Sequence, residues 1–240
     1  MRKVTLGFIF LIFGLDYSNA QIGKHIIGVE VGPSLCFVTG SKNYGDFLPN
    51  FGFCATLSYN YKFNDFFSFH TGTGVEQKGF IFVSSFPYNT PIKQSSVSII
   101  AKNNLYYLNT PFLLKWTLTH PIQLFANFGG YLGYRFAQYQ SKKFFEYTNY
   151  DFYLLAKSGI KTFDYGLSSG LGISIPYEKV FLFSFEIRYN RSLARDIIEN
   201  TNNNSYYDSG SHLKNNSVNF IFGFSKKIGL SHSKDKTFYY

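Results

Sequence analysis

Charge is scarce in this chain. Asp, Glu, Lys and Arg make up 15% of its 240 residues, against roughly 25% in an ordinary soluble domain, which is too little to coat a water-soluble surface of this size. Cysteine is nearly missing as well: Cys36 and Cys54 stand alone without a CxxC pair, which excludes zinc ribbons, dithiol redox motifs and disulfide-dense scaffolds. After the N-terminus no apolar run is long enough to cross a membrane as a helix. A phosphate-cradling loop is absent too. The glycines of "GLSSGLGIS" (Gly166–Ser174) follow strand parity, and no helical pattern comes after them.

What is abundant is aromatic: 29 Phe and 20 Tyr bring aromatic content to 21%. The formal charge is +9, but the basic residues are scattered and the chain reads as exported, so nucleic acid is not expected as a partner. The export reading rests on Met1, Arg2 and Lys3, the apolar run Val4–Leu15 and the small residues before Gln21. Residues 1–20 are expected to be a cleaved signal peptide, and 21–240 one domain.

Hydrophobicity then alternates with period two. In Asn50–Phe63, Phe51, Phe53, Ala55, Leu57, Tyr59, Tyr61 and Phe63 share one register, and Gly52, Cys54, Thr56, Ser58, Asn60 and Lys62 the other. Side chains on a strand point to opposite faces, so this is a ribbon with one greasy side. Similar segments recur at about His25–Phe37, Phe66–Phe82, Asn104–Leu118, Ile122–Gln138, Phe163–Ile175, Val180–Asn190 and Ser217–Ile228. Most reach the roughly 9–11 residues a tilted strand needs to cross a bilayer. Short turns at Asn64-Asp65, His120-Pro121 and Pro176–Lys179 alternate with long connections near 38–49, 83–103, 139–162 and 191–216. The expected fold is all-β: an eight-stranded antiparallel up-and-down transmembrane barrel with short periplasmic turns and long extracellular loops. A short helix near Asp151–Lys157 and an irregular patch at Asn200–Ser205 are expected within those loops.

Charge parity sets the orientation. Glu30, Lys62, Glu76, Lys78, Lys115, Arg135, Asp164, Glu186 and Arg188 all fall on the polar register, and Lys226, at a strand end, is the exception. A midplane Lys or Arg facing lipid costs roughly 2–4 kcal/mol, falling toward zero near the interface. The polar register is also rich in glycine, as expected inside a narrow barrel where charged groups need room. The rings therefore face lipid, and Glu30, Glu76, Lys78, Lys115, Arg135, Asp164, Glu186 and Arg188 are expected to form an ionic network in the lumen. Pro111 cannot donate to a ladder, so a bulge or local opening is expected there.

Other chemistry is thinly supported. His70 and Ser68 share the inner register, and a His/Ser pair raises an outer-membrane hydrolase, but a lipid-active site belongs on the outer face. His25, His120, His212 and His232 have no metal-ligand spacing. No catalytic residue, metal or cofactor is assigned. Cys36 and Cys54 share a side of one hairpin, and a disulfide between them is left open.

The motifs "GVEQKGF" (Gly74–Phe80), "YLNTPFLLKW" (Tyr107–Trp116), "FGGYLGY" (Phe128–Tyr134), "FDYGLSSGLG" (Phe163–Gly172) and "RYNRSL" (Arg188–Leu193) together resemble successive strands of the PorT-type outer-membrane β-barrel (porin family) proteins of Bacteroidota. The resemblance implies an eight-stranded barrel in the outer membrane of a Gram-negative bacterium. Some members of that family serve a protein secretion system. The chain departs from the pattern at Asn109 and Thr110, where an acidic and an aliphatic residue are usual, and at Ser192, where glycine is usual.

The expectation is a non-enzymatic barrel of structural, partner-binding or narrow-pore type. It would contact membrane lipid and lipopolysaccharide, with an envelope protein partner reached through loops or turns. The alternatives are an outer-membrane enzyme acting on lipid or peptide, an accessory barrel of a secretion system, and a secreted soluble lipid-binding barrel.

Overall fold

The structure is a computed structural model that describes residues 24–40, 46–89, 94–118, 122–145, 159–178, 180–194, 198–199 and 213–228. The expected signal peptide, the helix near 151–157, the patch at 200–205, His120, His212 and His232 lie outside the described residues. Eight long strands form the wall: β1 (His25–Thr39), β2 (Asn50–Lys62), β3 (Phe67–Asn89), β4 (Gln94–Leu118), β5 (Gln123–Phe145), β6 (Phe163–Tyr177), β7 (Phe181–Ser192) and β8 (Lys214–Lys227). Each pairs antiparallel with its neighbour in sequence, and β1 with β8, which closes the cylinder. Closure removes the free edges of the eight-stranded belt, as hydrocarbon demands of any spanning sheet.

Local chemistry starts the meander. At the β2–β3 turn the Asn64 side-chain oxygen accepts hydrogen bonds from the backbone N–H of Phe66 at 2.9 Å and of Phe67 at 2.7 Å. An asparagine that caps its own turn in this way fixes the hairpin register. Paired residues followed around the wall from Ile26 pass through Asn60, His70, Leu113, Gly129, Ser168, Asn190 and Ser217, returning to β1 at Cys36, ten residues beyond the start. An eight-stranded wall staggered in this way tilts its strands by about 35–45° and leaves an interior that side chains can fill.

The opening alternation resolves as lipid-facing rings. Phe53, Phe183 and Phe222 are 44%, 48% and 57% exposed, whereas Glu76 and Arg188 are 1% and 5% exposed. Lys226 is on the outer face at the end of β8.

Three strands differ from expectation in length. β3, β4 and β5 run for 23, 25 and 23 residues, against 12 to 15 for the other five. Much of 83–103 and 139–145, expected as loop, is therefore paired strand, including Ser84–Ile99 and Lys102–Ser141. Serine, asparagine and lysine there blur the two-residue period that marks a strand, while pairing between neighbouring strands supplies the hydrogen bonds. Asp46–Leu48 adds a short strand beside Ile81–Val83, and Gly159–Ile160 pairs with Ile198–Glu199.

Proline interrupts two ladders. The β3–β4 ladder has a gap between Thr71–Phe112 and Gly74–Asn109, at Pro111, with the register unchanged on either side, and Thr71 Oγ1 donates to the Pro111 carbonyl at 2.8 Å. The β1–β8 ladder likewise has a gap between Val31–Phe222 and Ser34–Asn219, at Pro33, in an unchanged register. Both gaps follow from the missing proline N–H. A register shift does occur between Tyr106 and Tyr107 on the β4–β5 side.

The interior is not uniformly polar. Towards the end with the long connections, Val38, Phe80, Leu105, Tyr107 and Leu213 form a buried apolar cluster, with Phe47 and Phe82 packed against it. An apolar lid thus closes one end of a polar lumen.

Cys36 and Cys54 are both buried free thiols. Cys54 pairs with Gly32, four residues from Cys36 along β1, a separation of about 13 Å at strand rise. A disulfide needs Cα atoms within about 7 Å, so the register keeps these thiols apart.

Candidate functional site: the lumen

Because strand parity sends every second residue inward, polar residues far apart in sequence converge on the barrel axis. Glu76 of β3 is the hub. Its Oε1 accepts from Ser217 Oγ at 2.7 Å, Asn219 Nδ2 at 3.0 Å and Asn190 Nδ2 at 3.3 Å. Its Oε2 accepts from Asn109 Nδ2 at 2.5 Å and lies 3.8 Å from Lys78 Nζ. Lys78 reaches across to Asp164 Oδ2 at 2.8 Å and sits 4.3 Å from the centre of the Tyr131 ring. Tyr131 and Ser192 also donate to Asp164, at 3.1 and 2.6 Å. One carboxylate thereby links β3 to β4, β7 and β8, and a second links it to β5, β6 and β7.

A second group surrounds Arg188 of β7. Its Nε and Nη2 grip Glu186 at 2.6 and 2.9 Å, the two-pronged geometry that suits a guanidinium and a carboxylate. Nη2 also lies 3.5 Å from Glu30 Oε2 and 3.4 Å from His70 Nε2. His70 Nδ1 is 2.9 Å from Asn60 Oδ1. An acceptor at that position places the proton on Nδ1 and leaves Nε2 to accept from Arg188. Both ring nitrogens are therefore engaged, and neither is hydrogen-bonded to Ser68, so the pair lacks the nucleophile–base contact a hydrolase needs.

Of the eight residues expected to form a lumen network, Glu30, Glu76, Lys78, Asp164, Glu186 and Arg188 come together. Two do not join them. Lys115 points inward, but its Nζ lies 3.5 Å above the Phe125 ring, and no carboxylate is within 4.0 Å of it among the described residues. Arg135, near the long-connection end, bonds instead to Gln138 Oε1 at 2.7 Å and the Lys161 carbonyl at 3.3 Å. Charge and parity alone gave these two the same standing as the rest, but height along the tilted wall separates them.

Sequence reasoning missed the neutral members: Asn60, Asn109, Tyr131, Asn190, Ser192, Ser217 and Asn219. Their signal was inward parity alone. Asn109 is informative, since the family resemblance leads to an acidic residue there. An amide that donates to Glu76 avoids setting two carboxylates side by side in a buried place.

Beside the two ionic clusters the lumen is nearly full. A cavity of about 20 Å³ remains beside Glu76, Asn109, Arg188, Asn190 and Asn219, the room of about one water molecule. Glycine makes the packing feasible: a Cβ on Gly170, which pairs with Arg188, would collide with Glu186 Oε1. Gly170→Val is expected to break the Glu186–Arg188 grip and lower stability by about 1–3 kcal/mol, as overpacking does. The urea midpoint for folding into lipid vesicles measures it.

A family match agrees with this architecture. Residues 17–199 match the outer membrane protein beta-barrel domain family, and the chain belongs to it. Solved structures of similar shape include Neisserial surface protein A, at 14% identity, covering 84% of this chain and 97% of that one with a TM-score of 0.44. Another is the outer membrane protein OprG from Pseudomonas aeruginosa, at 11%, 87% and 98%, also 0.44. The outer membrane protease OmpT from Escherichia coli is similar at 8%, 89% and 100%, with 0.42. No curated protein sequence matches the chain.

Proposed function

We propose that this outer-membrane barrel is non-enzymatic and closed to solutes, and works by presenting its connections to a partner in the cell envelope. The short turns face the periplasm, the long connections face outward among lipopolysaccharide, and residues 1–20 are the export signal removed after Ala20. The motifs quoted above favour the PorT-type branch found in Bacteroidota. The observation that carries the closed reading is the pair of ionic clusters spanning the lumen, with space beside them of only about 20 Å³.

Refolded protein in planar bilayers is expected to show no conductance steps above the bare membrane; large, stable steps would make it a porin instead. The same preparation is expected to give no turnover on lipid A, phospholipid or peptide panels. Crosslinking in the native membrane then identifies what the connections touch.

A further inference from the structure

The stagger of the wall aligns cations that the sequence scatters. The Lys62 N–H donates to the Lys24 carbonyl at 2.8 Å, and Lys62 pairs with Ser68, Ser68 with Lys115, and Lys115 with Asn127. These five residues occupy one inward-facing rung. Strand tilt makes such a rung climb by about 3 Å per strand. It therefore rises from the short-turn mouth at Lys24 into the lumen, continuing through Gly170 to Arg188. Lys227 flanks it, since Ile26 pairs with both Lys227 and Asn60.

Arg188, at the top, is occupied by Glu186 and Glu30. The lower steps are not: among the described residues no carboxylate lies within 4.0 Å of Lys24, Lys62, Lys115 or Lys227. The carboxylates at this end, Asp65 and Glu178, belong to the turns. A second observation points the same way. Asn127 is 3% exposed, is on the inner register beside Lys115, and has both Nδ2 and Oδ1 without a hydrogen-bond partner.

We infer that the short-turn half of the lumen is a binding site for a compact oxyanion of the phosphate class, held by Lys115 and the Asn127 amide and drawn in past Lys24, Lys62 and Lys227. Lysine suits this role as a charge with three rotatable donors, and the low-dielectric wall strengthens its attraction for an anion. The inference is independent of the enzymatic and conductance tests, because anion binding at one mouth needs neither turnover nor a through-path. The source is free phosphate or a phosphomonoester.

The test uses the full refolded protein in detergent, titrated calorimetrically with inorganic phosphate and, separately, with glycerol 3-phosphate, at ionic strength held constant with sodium chloride. Saturable binding of either is expected. Binding of the first assigns free phosphate; binding of the second alone assigns the ester. Lys115→Met is expected to weaken binding at least tenfold, while Lys102→Gln, on the outer face far from the rung, leaves it unchanged. Heat-modifiable gel mobility checks that each variant is folded. Should Lys115→Met fail that check, the double variant Lys62→Gln with Lys227→Gln at the mouth replaces it, with the same weakening expected. No heat of binding with either anion, or equal affinity in the parent and the folded lysine variants, would overturn the assignment.

Discussion

Glu76→Ala is expected to lower the stability of the folded barrel by about 3–5 kcal/mol, the cost of removing one partner from a buried charged pair. The substitution removes the acceptor for Asn109, Asn190, Ser217 and Asn219 and the nearby countercharge of Lys78. All five donors stay buried, and water entering the vacated space beside the cavity of about 20 Å³ replaces only part of what they lose. Lys78 keeps Asp164 at 2.8 Å, so the loss falls short of that for an isolated buried cation. The urea midpoint for folding into vesicles, followed by gel mobility, measures the effect. A graded series sharpens it: Glu76→Gln keeps an acceptor and is expected to cost less than alanine, and Glu76→Met with Lys78→Met less than the sum of the single changes. A Glu76→Ala barrel within about 1 kcal/mol of the parent would show that the hydrogen bonds around Glu76 do not hold the strands together.

The fold was legible because lipid imposes a parity rule that a single strand can display. Phe181, Phe183, Phe185 and Ile187 alternate with Leu182, Ser184, Glu186 and Arg188, and the structure puts the first set outward and most of the second inward. Strand ends were less legible. Val83–Asn89 and Gln94–Asn103 lack a two-residue contrast, so nothing in their composition distinguishes a paired extension from a loop; only the partner strand decides. The site was legible by residue type but not by height. Lys78 and Lys115 both read as inward charges, yet height along the wall places one against Asp164 and the other over Phe125. The apolar lid escaped notice for a related reason. Phe80, Leu105 and Tyr107 share inward parity with charged residues of their own strands, and a pattern read as polar-in hides them. Neutral network members such as Asn190 and Ser217 were invisible to a search for charges, although in a closed lumen an amide or hydroxyl is as necessary to a buried carboxylate as a cation.

Phe222→Arg is expected to cost about 2–4 kcal/mol in folding into a bilayer, because it places a cation on the lipid face near the middle of its strand. Phe222 lies between Val31 of β1 and Phe185 of β7, with its ring 5.1 Å from that of Phe185. Both neighbours are apolar, so no carboxylate beside it offers compensation. Strand position decides the size of the effect. Lys226, four residues on with the same outward parity, already carries a charge at the end of β8, where the cost falls to about 0–1 kcal/mol. Lys226→Phe should therefore move stability by less than about 1 kcal/mol, while Phe222→Arg shifts the urea midpoint strongly in vesicles and weakly in a detergent that lets headgroups and water reach the ring. Equal tolerance at 222 and 226 in vesicles would mean that the outer face of β8 does not lie in hydrocarbon. The orientation of the whole wall would then fail with it, since register couples every strand's outward set to this one.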